Sequence, residues 1–447
     1  MKLSFFIFSA VFFLIMNLNL NSGTAGHLYA GVLGFHVMIT DILLVVALGA
    51  VFLEPFAGRP SPARGTSLPR QYARFLLWTG LSAFVISPLY GTPVQQGSIS
   101  QLHFLGYYLI FFAGVYLFGT DREVRVFIWA FMVSNALVCL RGLAELAYMY
   151  KSTGRASSSS SFIRFAEVFH QVLFFFSLCL LNHVHRRLRK YLYASAVLAL
   201  AAVALSFSRG VILTTALGAV LCVFMQSRSI VSALRPLVLV LAVFFSLFLG
   251  LKGLNGLLQG RMDKGFDDIK NIASLLRSPG DPSELIQKGA DRSGGDYSLV
   301  RKSIEYYDTF REFEKSPVWG LGVGHFYDKL WMENGQKFRE GTYVHSIYSY
   351  FLMDTGLIGL GLYLLLIFSI GKQFLHIFRT SRVGLYRGVS LACLLSLLAL
   401  GINSFNGSFL LSIPYIAFVC TFSAIAEAVI RGGYHLAKHA EQSGLHT

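Results

Sequence analysis

The chain has 447 residues, 54% of them hydrophobic and only 14% charged, with a formal net charge of +15. Soluble domains carry about 25% charged residues, so a composition this apolar excludes an ordinary soluble domain. Apolar runs recur along the whole length, and each run of 18 or more residues suffices to cross about 30 Å of hydrocarbon.

Twelve spans are predicted, at roughly 3–20, 28–53, 73–90, 102–119, 124–149, 162–183, 190–206, 209–226, 233–252, 346–371, 388–404 and 409–430. The fold class is therefore an all-α polytopic membrane protein of about twelve transmembrane helices. The first span resembles a signal peptide, with Lys2, an apolar stretch and then Ser22-Gly23-Thr24-Ala25-Gly26. It grades into Asn-Leu repeats without a clear small-x-small site, so an uncleaved first helix is expected. Ser157 to Ser161 read as a flexible connector. Cys139, Cys179, Cys222, Cys393 and Cys420 all lie inside apolar runs without metal-ligand spacing, which points to neither a disulfide nor a zinc site.

One connection breaks the pattern. Residues 1–252 carry nine spans, 253–345 form a single large polar loop, and 346–447 carry the last three spans and a tail. Within 252–344 there are 14 basic and 14 acidic residues, so the loop is neutral. Nineteen Lys and Arg fall in the tails and in the short loops of one face, including Arg59, Arg186, Arg228 and Lys372. Outside the long loop the opposite face holds only Lys151, Arg155, Arg164 and Arg209. The positive-inside bias then puts both termini in the cytoplasm and the long loop outside it. The net charge is this orientation signal; no basic stripe suits nucleic acid.

Ionisable groups inside spans are costly and mark either function or a buried pair. Asp41 lies in the second span, Arg141 and Glu145 one turn apart in the fifth, Arg164, Glu167 and His170 early in the sixth, and Asp354 two turns into the tenth. They are read either as a structural Arg141–Glu145 pair with snorkelling ends, or as a polar cavity formed by Asp41, Arg141, Glu145, Arg164 and Asp354. Arg209 occupies a hairpin tip, Ser206-Phe207-Ser208-Arg209-Gly210, where its planar fork suits either bidentate phosphate binding or a headgroup anchor.

In the loop, residues 297–315 predict an amphipathic helix. Val300, Ile304, Tyr307 and Phe310 form its apolar stripe, and Arg301, Glu305, Asp308 and Glu312 share another face, so that Arg301 reads either as part of a solvated salt-bridge stripe or as a functional arginine. Trp319-Gly320-Leu321-Gly322-Val323-Gly324-His325-Phe326 follows. It lacks the strand-and-helix setting of a phosphate-binding loop and reads more simply as a tight turn that re-aims the chain. His345 opens the re-entry HSIYSYFLMDTGLIGLG, where a neutral imidazole can take a proton near pH 7 or simply sit at the interface. Asp354, nine positions on, falls on the opposite helical face.

The SRG hairpin tip, the loop helix with Arg301, Ser316-Pro317-Val318-Trp319-Gly320-Leu321-Gly322-Val323-Gly324-His325-Phe326, His345-Ser346 and Asp354-Thr355-Gly356-Leu357-Ile358-Gly359 occur in that order. Over roughly 195–365 this resembles the O-antigen ligase and polymerase superfamily of bacterial inner-membrane glycosyltransferases. The resemblance implies a GT-C-type fold, a multi-pass inner-membrane location with a periplasmic loop, and a glycan donor carried on undecaprenyl diphosphate. It implies that Arg209 and Arg301 hold the diphosphate and that His345 activates the acceptor hydroxyl. The family commonly shows His-Asn where this chain has His345-Ser346, and often a Glu near Asp354. No carboxylate cluster suggests a metal, and no cofactor is implied. Three functions stay open: a ligase delivering glycan to lipid A-core; a polymerase or protein O-oligosaccharyltransferase with the same chemistry; and a transporter without covalent chemistry.

Overall fold

The computed structural model describes residues 3–19, 30–32, 35–37, 45–46, 48–49, 66–92, 106–153, 166–206, 208–227, 229–253, 298–325, 327, 332–333, 336–337, 344–405, 407 and 412–433. These residues are overwhelmingly helical. The principal helices are α1 (Leu3–Asn19), α2 (Leu68–Leu81), α3 (Ile110–Leu117), α4 (Asp121–Thr153), α5 (Glu167–Leu180), α6 (Arg186–Leu205), α7 (Arg209–Gln226), α8 (Ile230–Gly253), α9 (Ser298–Phe313), α10 (Ile347–Thr380), α11 (Gly384–Asn403) and α12 (Ile413–Arg431).

Among the described residues six stretches are long and apolar enough to cross a membrane: Leu68–Leu89, Asp121–Ser152, Arg186–Leu205, Ile347–Thr380, Gly384–Asn403 and Ile413–Arg431. Shorter apolar helices accompany them at Ser4–Leu14, Tyr107–Leu117, Glu167–Leu180, Gly210–Gln226 and Pro236–Ser246. The chain is thus a multi-pass membrane protein. The second expected span, 28–53, is helical at 45–46 and 48–49 but differs near its start. Ala30–Val32 (β1) pairs antiparallel with Phe35–Val37 (β2), and Val32 lies opposite Phe35. Gly31 opposes helix there.

α12 is the hub of one half, packed by α1, α3, α10 and α11 and buried along almost its full length. Phe418 and Phe422 interleave with Phe131 and Phe176, with Phe131–Phe422 ring centroids 4.7 Å apart at 65°, the edge-to-face arrangement that aromatic quadrupoles favour. α5 is the hub of the other half, against α4, α6, α7 and α11. Lipid tails are as apolar as leucine, so close contact rather than water exclusion holds such helices together. Glycine permits it: a Cβ on Gly114 would lie 2.7 Å from Ala424 Cβ, and one on Gly218 would lie 2.3 Å from Phe175 Cζ.

Two local breaks shape the end of the bundle that carries His345. α2 runs into a π turn at Ser82–Ile86 before a last helical turn at Ser87–Leu89. α10 is interrupted at Gly356, whose φ of 65° and ψ of −167° no helix uses. At the opposite end, buried Glu427 is tied to Arg431 Nε at 2.7 Å, to Gln373 Nε2 at 2.6 Å and to the Thr66 backbone N–H at 3.0 Å. This is the fully paired arrangement a buried carboxylate needs.

Candidate active site

The loop helix α9 lies where the periodicity predicts it, but with its faces reversed. Tyr307 and Phe310 are exposed, while Glu305, Asp308 and Glu312 are buried against the bundle. The acids are therefore not a solvated stripe. Glu305 faces His345, and Glu312 faces His325 at the end of the glycine-rich turn.

Glu305 holds His345 with both oxygens. Oε1 accepts the His345 backbone N–H at 2.5 Å, and Oε2 meets the ring Nδ1 at 2.5 Å. Only 6% of the Glu305 side chain is exposed, against 30% for His345, so the acid is screened from water while the imidazole reaches the surface of the site. With the carboxylate accepting from Nδ1, the lone pair is on Nε2. The clamp fixes the ring orientation. This is the logic by which an acid orients a general base. Ser346 continues the support, its side chain accepting the Ser349 N–H and capping α10.

Glu312 meets His325 Nε2 at 3.5 Å and accepts from Lys315 Nζ at 2.5 Å. Thr92 Oγ1 lies 3.4 Å from His325 Nδ1. Burial pushes the His325 pKa below its usual value, the Glu312 carboxylate offsets part of this, and Lys315 adds to the lowering.

The glycine-rich turn works as a wedge. Leu321 N–H donates to Met353 O and Gly322 N–H to Asp354 O, both at 2.9 Å, while Leu357 N–H donates to Pro317 O at 2.9 Å. These bonds satisfy backbone groups that the break at Gly356 frees from α10. Gly320, Gly322 and Gly324 have φ of 78°, 95° and 86°, and a Cβ on Gly320 would lie 2.5 Å from the Asp354 carbonyl. The π turn of α2 completes the joint: Ser82 Oγ donates to Asp354 O at 3.1 Å and Ser87 Oγ to Val323 O at 2.8 Å. The turn reading of the glycines accounts for these contacts. Asp354 is fully buried and accepts the Gly324 N–H at 3.0 Å, so it braces this joint rather than lining an open cavity.

Arg209 is the first residue of α7 and Arg301 lies in the first turn of α9. The start of α7 is joined to the His345 end through α11. Ile347 N–H donates to Ser404 O at 3.2 Å. The neighbouring Asn403 donates from Nδ2 to Thr214 Oγ1 at 3.1 Å, and Thr214 Oγ1 in turn donates to Gly210 O at 2.8 Å. Gln171 of α5 donates to Thr214 and Thr215 at 2.9 and 3.0 Å. Arg209, Arg301 and His345 thus sit on backbone that converges at one end of the bundle. Arg141 is exposed and Glu145 half-buried on α4, and none of the hydrogen bonds just described involves either. Asp41 and Arg164 lie outside the described residues. Among the described residues no group of three or more His, Cys, Asp or Glu could hold a metal ion, and all five cysteines are buried thiols.

Sequence reasoning placed Glu305 on the correct helix but missed its role. A Glu at the centre of a charged face gives no sign of which way that face points. Residues 194–364 match the family model described as O-Antigen ligase. The chain is similar to the O-antigen ligases over this segment. It runs from α6 to just beyond the break in α10, and so contains Arg209, Arg301, Glu305, the glycine wedge and His345. It coincides with the stretch of about 195–365 over which the motifs carry the resemblance, and the family's members are glycosyltransferase-like enzymes. No curated protein shows a significant match to the chain.

Proposed function

We propose that the protein is a membrane glycosyltransferase that moves a glycan from undecaprenyl diphosphate to an acceptor hydroxyl on the periplasmic face. We propose further that it acts as an O-antigen ligase, with lipid A-core as acceptor. The observation that carries this reading is the two-point clamp of buried Glu305 on His345, inside the segment that matches the ligase family.

In this mechanism the acceptor hydroxyl attacks the anomeric carbon of the lipid-linked glycan. His345 Nε2 takes the hydroxyl proton as the new C–O bond forms, and Glu305 stabilises the resulting imidazolium. The bond from the anomeric carbon to the diphosphate breaks, and undecaprenyl diphosphate leaves with the electron pair. Arg209 and Arg301 hold that diphosphate and offset its growing charge. A positioned base contributes about 10²–10⁴ in rate, and each preorganised charge contact about 10²–10³. Fixed arginine charge does the work of a divalent ion, so the reaction is metal-independent. In this reading the apolar runs form twelve spans, the resemblance implies a GT-C-type bundle of the bacterial inner membrane, and the charge bias of the loops supports cytoplasmic termini.

The test is the surface glycan of a strain lacking this gene, beside the same strain carrying wild-type or His345→Ala protein. A ligase predicts lipopolysaccharide without attached glycan in the deletion and His345→Ala strains, with long lipid-linked chains accumulating. Glycan that stays attached but stops at one repeat unit would assign the polymerase reaction instead. An unchanged profile would contradict both and point to a protein acceptor or to transport.

A further inference from the structure

α9 is amphipathic in the sense opposite to a soluble surface helix. Its acids turn inward, and Tyr306, Tyr307 and Phe310 turn outward, Phe310 with 55% of its surface exposed. Beyond the helix, Val318 and Trp319 extend this face, Trp319 being 53% exposed. In water such a patch is unfavourable in proportion to the apolar surface left uncovered.

Two contacts join the patch to the wall of the transmembrane bundle. The Trp319 ring stacks on Trp78 of α2, centroids 5.7 Å apart and 30° between planes, and Trp78 Nε1 donates to Thr355 O at 3.2 Å. Leu77 and Leu81, beside Trp78, are exposed on the surface of a membrane-spanning stretch. On the other side, the Tyr306 hydroxyl donates to Phe405 O at the end of α11, and the exposed Phe405 ring lies 4.4 Å from Tyr348. The exposed face of α9 is therefore continuous at one edge with the outer surface of a membrane-spanning stretch, and at the other with an exposed aromatic ring just beyond the end of α11. Its composition also fits: Tyr and Trp favour the membrane–water boundary, where a ring has an apolar body and a polar tip. Exposed Arg311 lies at its rim, where a cation suits lipid phosphates.

We infer that α9 is an interfacial helix, its Tyr306–Tyr307–Phe310 face seated in the lipid headgroup and acyl boundary at the His345 end of the bundle. Such helices lie in the membrane plane with the apolar face about 5–10 Å deep. The inward face then holds Glu305 and Glu312 at the level of the membrane surface. The inference concerns where the helix lies and does not depend on the transfer reaction.

The test uses the full-length protein in nanodiscs of phosphatidylethanolamine and phosphatidylglycerol, without donor or acceptor. The native cysteines are buried, so a nitroxide can be attached selectively to Phe310→Cys, to Tyr307→Cys and to Lys315→Cys as the rim reference. Collision rates with oxygen, which concentrates in lipid, and with a water-soluble nickel chelate report the surroundings of each label. The expected result is that oxygen collisions exceed nickel collisions at 310 and 307, with the order reversed at 315. Nickel collisions dominating at both 310 and 307 would overturn the inference in favour of a water-exposed face. Labels immobile and inaccessible to both reagents would also overturn it, in favour of a second copy covering the helix. Agreement between two separate variants guards against local misfolding in either.

Discussion

Replacing Glu305 by Gln tests the part of the site that the structure adds. The side chain keeps its size and one carbonyl oxygen, but an NH₂ takes the place of the second acceptor. Two acceptor contacts of 2.5 Å, to the backbone N–H and to Nδ1 of His345, cannot both survive. If the amide oxygen stays on the backbone N–H, the NH₂ faces Nδ1. The ring must then move its proton to Nε2, which removes the lone pair from the reacting nitrogen. If the amide turns over, the backbone N–H loses its partner. A wrong tautomer in a comparable acid–histidine pair costs about 10⁴ in kcat, and weaker outer contacts about 10–100-fold. We therefore expect kcat to fall by about 10²–10⁴, equivalent to about 2.7–5.4 kcal/mol of lost transition-state stabilisation. The assay is initial-rate transfer by the purified protein from a lipid-linked glycan donor, with Tm measured in parallel. KM for the donor should hold, because Glu305 does not touch the diphosphate in this account. Wild-type kcat in a folded Glu305→Gln protein would refute the orienting role, and a matching loss of Tm and activity would reduce Glu305 to a structural residue.

Three other expectations follow from the same geometry. Gly356→Ala should lower stability by about 1–3 kcal/mol, because φ is +65° there and the new Cβ would lie 2.3 Å from Val318 O. Gly361→Ala, with nothing within 4 Å, should be neutral or mildly stabilising, and equal melting temperatures for the two would contradict the wedge. His325 has its pKa lowered by burial, so the folded state binds this proton less readily than the unfolded state does. Its neutral form costs nothing above the ordinary value of 6.5, and stability is lost as pH falls from there through the folded pKa. Protection factors of the backbone amides around 312–325, corrected for intrinsic exchange at each pH, should be lower at pH 5 than at pH 7.5, less so in His325→Gln, and equal protection in the wild type would remove the effect. Arg209→Lys should lose most activity if the diphosphate is held by a planar fork, whereas EDTA should leave wild-type activity intact; an active Lys variant or a strict divalent requirement would contradict the arginine mechanism.

Much of the bundle was legible because long apolar runs have one physical solution in lipid, a helix with its backbone bonds closed. His345 stood out as a polar residue at the point where the loop re-enters an apolar run, and the alternating glycines from 320 to 324 as a turn. Other features were hidden for identifiable reasons. Helical periodicity defined two faces of α9 but not which one points inward, and the rule for soluble proteins gives the wrong answer beside a membrane. The break at Gly356 and the π turn at Ser82–Ile86 depend on each other across the fold. A lone glycine in an apolar helix does not reveal the loop that will fill the gap. Gln171, Asn403 and Glu427 are single polar residues in apolar runs whose partners lie on other helices. Only the Glu427–Arg431 pair, one turn apart, carried a local signal.

The central claim is that this protein transfers a glycan from undecaprenyl diphosphate with His345 as the base. Its most direct test is purified protein in nanodiscs with a lipid-linked glycan donor and a lipid A-core acceptor, following released undecaprenyl diphosphate and glycosylated acceptor together. The account predicts equal amounts of the two products from wild-type protein and neither from a folded His345→Ala variant. Undiminished product from that variant, or acceptor left unglycosylated by an active wild-type preparation, would contradict it.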